Sequence, residues 1–162
     1  MKLLRLGQKG KEKPAVLDNE GKIRDISSHV DDLNPYYLNF DTISKLQSAD
    51  LSTLPELPST ERIGSCITKP GKFVAIGLNF SDHAKESNLP VPTEPITFMK
   101  ATSSINGPND DIEIIKGSKK LDWEVELGII IGKEAKHISE NQAQNHILGY
   151  CLVNDVSERE WQ

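Results

Sequence analysis

The sequence predicts an α+β protein that is mainly β. Three observations carry this. Short apolar and β-branched runs recur along the chain, separated by turns rich in Gly, Pro, Asn and Asp. Residues 122–131 begin with strict alternation of polar and apolar side chains, the period of a strand with two different faces. Helix signals are few and short.

Lys2 to Leu6 and Lys13 to Leu17 read as short strands. Asp18-Asn19-Glu20-Gly21 is turn chemistry, with Gly21 free to take positive φ. Lys22 to Ile26 is then the returning strand. A helix is expected from Asp41, with Ile43 and Leu46 on one side. The segment Leu51 to Thr60, rich in Pro, Ser and Thr, reads as a connector. The chain is therefore divided into a small N-terminal domain, residues 1–65, and a second part, residues 66–162.

The second part opens with Phe73 to Leu78, a continuous apolar run expected to be a strand buried on both faces. Asn79 to Glu86 is a short helix or helical turn. Three prolines keep Leu89 to Pro95 irregular. Ile96 to Met99 returns to strand, and Asn106 to Asp110 is a turn. Ile112 to Ile115 and Trp123 to Ile131 are further strands. Ser139 and Gln142 match a capping box that starts a short helix. Gly149 is expected to end it, before a strand over Tyr150 to Val153.

Composition excludes some classes of function. Of 162 residues, 36% are hydrophobic and 27% charged, as in a soluble globular protein. No apolar run approaches the roughly 20 residues of a membrane span. The basic start has no apolar stretch behind it, so no secretory signal is read and cytoplasmic residence is expected. Net charge is -5, and basic residues do not cluster, which argues against nucleic-acid binding. Cys66 and Cys151 make no disulfide framework and read as buried free thiols.

In a strand over Trp123 to Ile131, Trp123, Val125, Leu127, Ile129 and Ile131 form an apolar face. Asp122, Glu124 and Glu126 line the other. Neighbouring carboxylates repel unless a positive charge sits between them, and a hard divalent cation supplies one. A wet, one-sided surface strand gives the same pattern. The all-apolar end of the run argues that the strand enters a core, and Asp155 follows the next apolar strand directly. Ser157 and Glu160 match a second capping box, which would start a helix and place Arg159 and Gln162 on one face. Arg159 could then bind a carboxylate in bidentate fashion, or simply pair with a neighbouring Glu.

His83 and Glu86 lie three apart after the first apolar strand, within reach of each other on a helix. A carboxylate holding an imidazole suits a general base, although such pairs also occur on ordinary surface helices. The Pro-rich stretch that follows could act as a lid.

Taken together, four segments resemble the fumarylacetoacetate hydrolase family. Phe73-Val-Ala-Ile-Gly-Leu-Asn-Phe-Ser-Asp-His-Ala-Lys-Glu86 resembles the family's Gly-Leu-Asn-Tyr-x-x-His-x-x-Glu element, with Phe80 where Tyr is common. Ile96 to Lys100 resembles its Phe-x-Lys strand, Trp123 to Gly132 its Glu-x-Glu-Leu metal strand, and Gly149 to Arg159 its Asn-Asp-x-x-x-Arg element. The segments occur in order from about residue 70 to the end.

The resemblance implies a mixed β-roll preceded by a small N-terminal domain, and a homodimer. It implies Mg²⁺ or Mn²⁺ held by Glu124, Glu126 and Asp155, and a His83–Glu86 dyad on a lid. Arg159 and Gln162, with Lys100, match substrate-binding positions for carboxylate and keto oxygens. The implied reaction is hydrolysis of a carbon–carbon bond in a 2,4-dioxo acid, giving pyruvate and a carboxylic acid. Lyases and isomerases of the family, of the ureidoglycolate and hydroxymuconate types, share these motifs. The family's catalytic lysine lies downstream of the Asp-x-x-x-Arg element, and no residue here matches it. The chain is thus expected to be the N-terminal part of the enzyme, inactive alone, with strands that keep a solvent-facing side.

Overall fold

The computed structural model describes all residues, 1–162. The chain divides into two compact units, one formed by residues 1–68 with 107–162 and the other by residues 69–106.

In the first unit, β1 (Lys2–Leu6), β2 (Lys13–Leu17) and β3 (Ile23–Asp25) form an antiparallel sheet in that order. The β2–β3 turn is the expected one. Gly21 has φ of +80°, and the Asp18 N–H donates to the Lys22 carbonyl at 2.9 Å. Helix α1 (Phe40–Ser48) starts at Asn39, whose side chain accepts the Thr42 N–H at 2.9 Å. Its Leu46 joins Val16, Ile26, Val30 and Leu33 in a core with almost no exposed area.

Charge fastens the edges of this core. Arg24, largely buried, donates to Asp18 at 2.7 Å and to the Leu54 carbonyl at 3.2 Å, tying the connector to the sheet. A second network runs from Asp32 through Arg5 and Glu12 to Arg62 and Asp110. Gly107 admits the last pair, since a Cβ there would lie 2.6 Å from the Ile63 carbonyl. The hydrogen bond from Arg62 holds the Asp110 carboxyl down, from 3.8 to about 2.

The remainder of this unit carries two paired elements. β6 (Leu121–Asp122) pairs with β9 (Ser157–Glu158), and β7 (Val125–Ile131) pairs with β8 (Ile147–Asn154), both antiparallel. In the second unit β4 (Val74–Gly77) pairs with β5 (Ile96–Met99), and α2 (Ser81–Glu86) lies between them in sequence. Leu89 to Pro95 is irregular, as its prolines require.

Several expectations are corrected. Ile112 to Ile115 is irregular, because no partner strand offers it a ladder, and all its apolar side chains are exposed. The strand expected over Trp123 to Ile131 is broken at Trp123–Glu124, which separates β6 from β7. Ser139 does start a capped helix, a 3₁₀ segment over Glu140–His146, but Gly149 does not end it. Pairing with β7 already begins at Ile147, and the register shifts between Ile130 and Ile131. Ile130 pairs Gly149 and Ile131 pairs Ile147, so Leu148 is the extra residue of a bulge. Ser157 starts no helix; β9 and a turn stand there instead, with the Trp161 N–H bonded to the Glu158 carbonyl at 3.0 Å.

The run from Phe73 is not buried on both faces, since Val74 and Ile76 of β4 are exposed and only one edge is paired. Nor does β7 enter a core in this chain. Its alternation is as expected, yet Val125, Leu127, Ile129 and Ile131 face solvent, with Leu127 59% exposed.

Candidate active site

The break between β6 and β7 is where the candidate site forms. Glu124 belongs to neither strand, so its backbone groups need other partners. The end of β8 supplies them. Asn154 Oδ1 accepts the Glu124 N–H at 3.1 Å, and the Asp155 N–H donates to the Glu124 carbonyl at 2.8 Å. Asn154 and Asp155 thus clamp Glu124 from both sides and set Asp155 beside it. Asp155 is nearly buried, at 9% exposure. Glu126, two residues into β7, is half-buried on the face opposite Val125 and Leu127.

Arg159 reaches the same place. Its backbone N–H donates to the Lys120 carbonyl at 3.0 Å, extending the β6–β9 pairing. Its guanidinium bonds Asp122 Oδ2 through Nε at 3.0 Å and Nη2 at 2.9 Å, and lies 2.6 Å from Glu124 Oε1. Its Nη1 donates to Gln162 Oε1 at 3.2 Å. The expected neighbourhood of Arg159 and Gln162 is therefore present, made by a turn rather than a helix. Burial works against the guanidinium charge, but the bonds to Asp122 and Glu124 more than offset it and raise its pKa. The hydrogen bond from Arg159 in turn lowers the Asp122 carboxyl.

Sequence reasoning set Asp122 on the carboxylate face but did not see that it anchors Arg159. It also passed over Asn154. The signal for Asn154 was its place as the first residue of the Asn-Asp-x-x-x-Arg segment, at a strand end.

These donors suit a hard cation by chemistry, being carboxylate oxygens. They are not gathered as a ligand shell: no three His, Cys, Asp or Glu side chains converge as a metal requires. Glu124 is turned to Arg159 instead.

The other candidates belong to the second unit. His83 and Glu86 share α2, His83 half-buried and Glu86 exposed. No hydrogen bond or ion pair joins the two side chains. Lys100 follows β5 and donates its backbone N–H to the Phe73 carbonyl at 2.9 Å, closing the β4–β5 pair.

Comparison with known proteins gives this arrangement a family. The model for the fumarylacetoacetate (FAA) hydrolase C-terminal domain matches residues 72–162, more than half of the chain. The chain belongs to the fumarylacetoacetate hydrolase family. A Burkholderia ambifaria (strain MC40-6) protein named a "putative hydrolase" is 54% identical over all 162 residues, which cover 57% of its own length. The fumarylacetoacetate hydrolase of Exiguobacterium antarcticum superposes with a TM-score of 0.79 at 31% identity, covering the whole chain and 58% of that protein. A 5-carboxymethyl-2-hydroxymuconate delta-isomerase from Mycobacterium smegmatis superposes at 0.70 with 26% identity, covering the whole chain and 57% of that protein. The chain thus spans little more than half the length of the relatives it matches. Mostly-β architecture with few helices agrees with these neighbours. No helix is long and apolar enough to cross a membrane.

Proposed function

We propose that the whole protein is a cytoplasmic, homodimeric, metal-dependent hydrolase that cleaves a carbon–carbon bond in a 2,4-dioxo acid of the acylpyruvate or diketo sugar acid type. In this reading residues 1–65 are a small N-terminal domain, and 66–162 begin a mixed β-roll. One observation carries the proposal: the β7–β8 pairing sets Glu124 against Asp155, with Arg159 and Gln162 alongside. Carboxylates for a cation and a guanidinium for a carboxylate substrate then share one place.

Glu124, Glu126 and Asp155 would hold Mg²⁺ or Mn²⁺, Glu124 exchanging Arg159 for the cation. A bound cation supplies positive charge against the enolate that develops when the bond breaks. Arg159, freed from Glu124 and still oriented by Asp122, receives the substrate carboxylate, with Gln162 beside it. Lys100 is assigned to substrate binding by the family resemblance alone. His83 takes a proton from water, whose oxygen adds to the 4-carbonyl; Glu86, not bonded to His83 in this structure, would turn to hold the imidazole. The C3–C4 bond then breaks, a carboxylic acid leaves, and protonation of C3 gives pyruvate. The superposition on a hydroxymuconate isomerase favours, as a second reading, an isomerase that uses the same enolate chemistry.

Calorimetric titration of the whole protein with Mg²⁺ or Mn²⁺ tests the site. Glu126→Gln should weaken binding, and equal affinities would overturn the assignment. His83→Ala should lower kcat on an acylpyruvate by roughly 10²-fold or more while leaving metal affinity unchanged. Full activity in that variant would remove His83 from the mechanism.

A further inference from the structure

We propose that Glu158 is a positioning residue for Arg159: its carboxylate, bonded to Ser118, fixes the turn that aims the Arg159 guanidinium at the substrate carboxylate. The inference rests on the role given to Arg159 above. Glu158 falls on an unassigned position of the Asn-Asp-x-x-x-Arg segment.

Glu158 ends β9, opposite Leu121 of β6. It is half-buried, and its carboxylate gathers donors from two stretches of chain. Oε2 accepts the Ser118 hydroxyl and, at 3.1 Å, the Lys120 N–H, which also lies 3.2 Å from Oε1. Oε1 accepts the Glu160 N–H at 3.2 Å. The Glu158 carbonyl accepts the N–H groups of Trp161 and Gln162, both at 3.0 Å. Its main chain thus closes the turn that carries Arg159 and Gln162, and its side chain ties that turn to the 118–120 loop. The loop returns the contact, since the Lys120 carbonyl accepts the Arg159 N–H at 3.0 Å. Gly117 shapes the loop with φ of +94°, and the Ser118 N–H closes it on the Ile115 carbonyl at 2.9 Å.

A charged acceptor suits this place. A carboxylate holds N–H and O–H donors more strongly than a neutral oxygen does. An amide in the same position would turn its NH₂ towards the N–H of Lys120 or of Glu160, setting donor against donor. The consequence falls on Arg159. Its guanidinium is gripped by Asp122 through Nε and Nη2, by Glu124 through Nη2 and by Gln162 through Nη1. Once Glu124 turns to a cation, the aim of the guanidinium depends on Asp122, on Gln162 and on where the main chain holds Arg159 and Gln162. Ser118 and Glu158 fix that main chain on both sides of Arg159. Neither touches the substrate in this reading; both act through Arg159.

The test uses the whole protein with Mg²⁺, an acylpyruvate for kinetics and pyruvate for calorimetry. Ser118→Ala and Glu158→Gln should each raise KM by roughly tenfold, the effect of one lost hydrogen bond to a charged group, with kcat within about threefold of native. Pyruvate affinity should fall by a similar factor while Mg²⁺ affinity stays level. Ser118→Thr keeps the hydroxyl and should restore the native values. In an Arg159→Ala background, Glu158→Gln should weaken pyruvate binding no further, because no guanidinium is left to aim. If Glu158→Gln does not fold, Ser118→Ala carries the same comparison in both backgrounds. Native KM and pyruvate affinity in Ser118→Ala, or an equal loss with and without Arg159, would overturn the proposal. Native pyruvate affinity in Arg159→Ala alone would instead overturn the role of Arg159 on which it rests.

Discussion

Residues 1–68 and the β7–β8 pair are built with the same alternation and end in opposite states. In the first, Val16 and Ile26 on and beside the small sheet meet Val30, Leu33 and Leu46 and are fully enclosed or nearly so. In the second, the face formed by Val125, Leu127, Ile129, Ile131, Tyr150 and Leu152 is open, with Leu152 82% exposed. Alternation decides which side chains share a face. Only a second layer decides whether that face is a core, and for 1–68 that layer is α1 and the loops around Leu33 and Leu51. Apolar area contributes to stability only when it leaves water, so substitutions should be felt unequally in the two regions.

The largest effect is expected at the centre of the enclosed region. Leu33→Ala should cost about 2–5 kcal/mol in urea unfolding, because it leaves a cavity among fully buried neighbours. A cost below 1 kcal/mol would mean that the region is not the packed body described here.

Next comes the close contact that the open pair does make. At residue 128 a Cβ would meet Cys151 Sγ and Val153 Cγ2, each at 2.7 Å. Gly128→Ala should therefore cost about 1–3 kcal/mol by overpacking. Unchanged stability would show that β7 and β8 are looser than their register implies.

The third effect depends on pH. Asp110 has its carboxyl lowered, from 3.8 to about 2, by the hydrogen bond from Arg62. A lowered folded-state pKa contributes stability above the unfolded value and loses it as pH falls through the folded one. The advantage of the native protein over Asp110→Asn should be full above about pH 4 and fade towards about pH 2. Acid titration followed by circular dichroism measures this. An advantage that survives at pH 2 would show that the network is held by packing rather than charge.

The smallest effect belongs to the open face. Leu152→Ser should change stability by no more than about 0.5 kcal/mol in this chain, since its side chain already faces water. A loss as large as that of Leu33→Ala would remove the contrast between the two regions.

Much of this was legible from residue pattern alone. Strands β1, β2 and β5 have the expected bounds, and the turn at Asp18 to Gly21 is the one its residues specify. These are local outcomes: side-chain period, a glycine with positive φ, and a cap that satisfies its own backbone. The order of the four motif segments was legible too, because it is read directly along the chain. Non-local pairing was not. Ile112 to Ile115 looks like a strand but has no ladder, Gly149 looks like a helix stop but sits at a bulge in β8, and Ser157 looks like a helix start but pairs with Asp122. Sequence by itself determined which residues could form each face and supply each charge. Tertiary structure decided that Asn154 and Asp155 grip the backbone of Glu124 and that Arg159 settles between Asp122 and Glu124. Each of these rests on hydrogen bonds between residues far apart in the chain, whose partners no local propensity encodes.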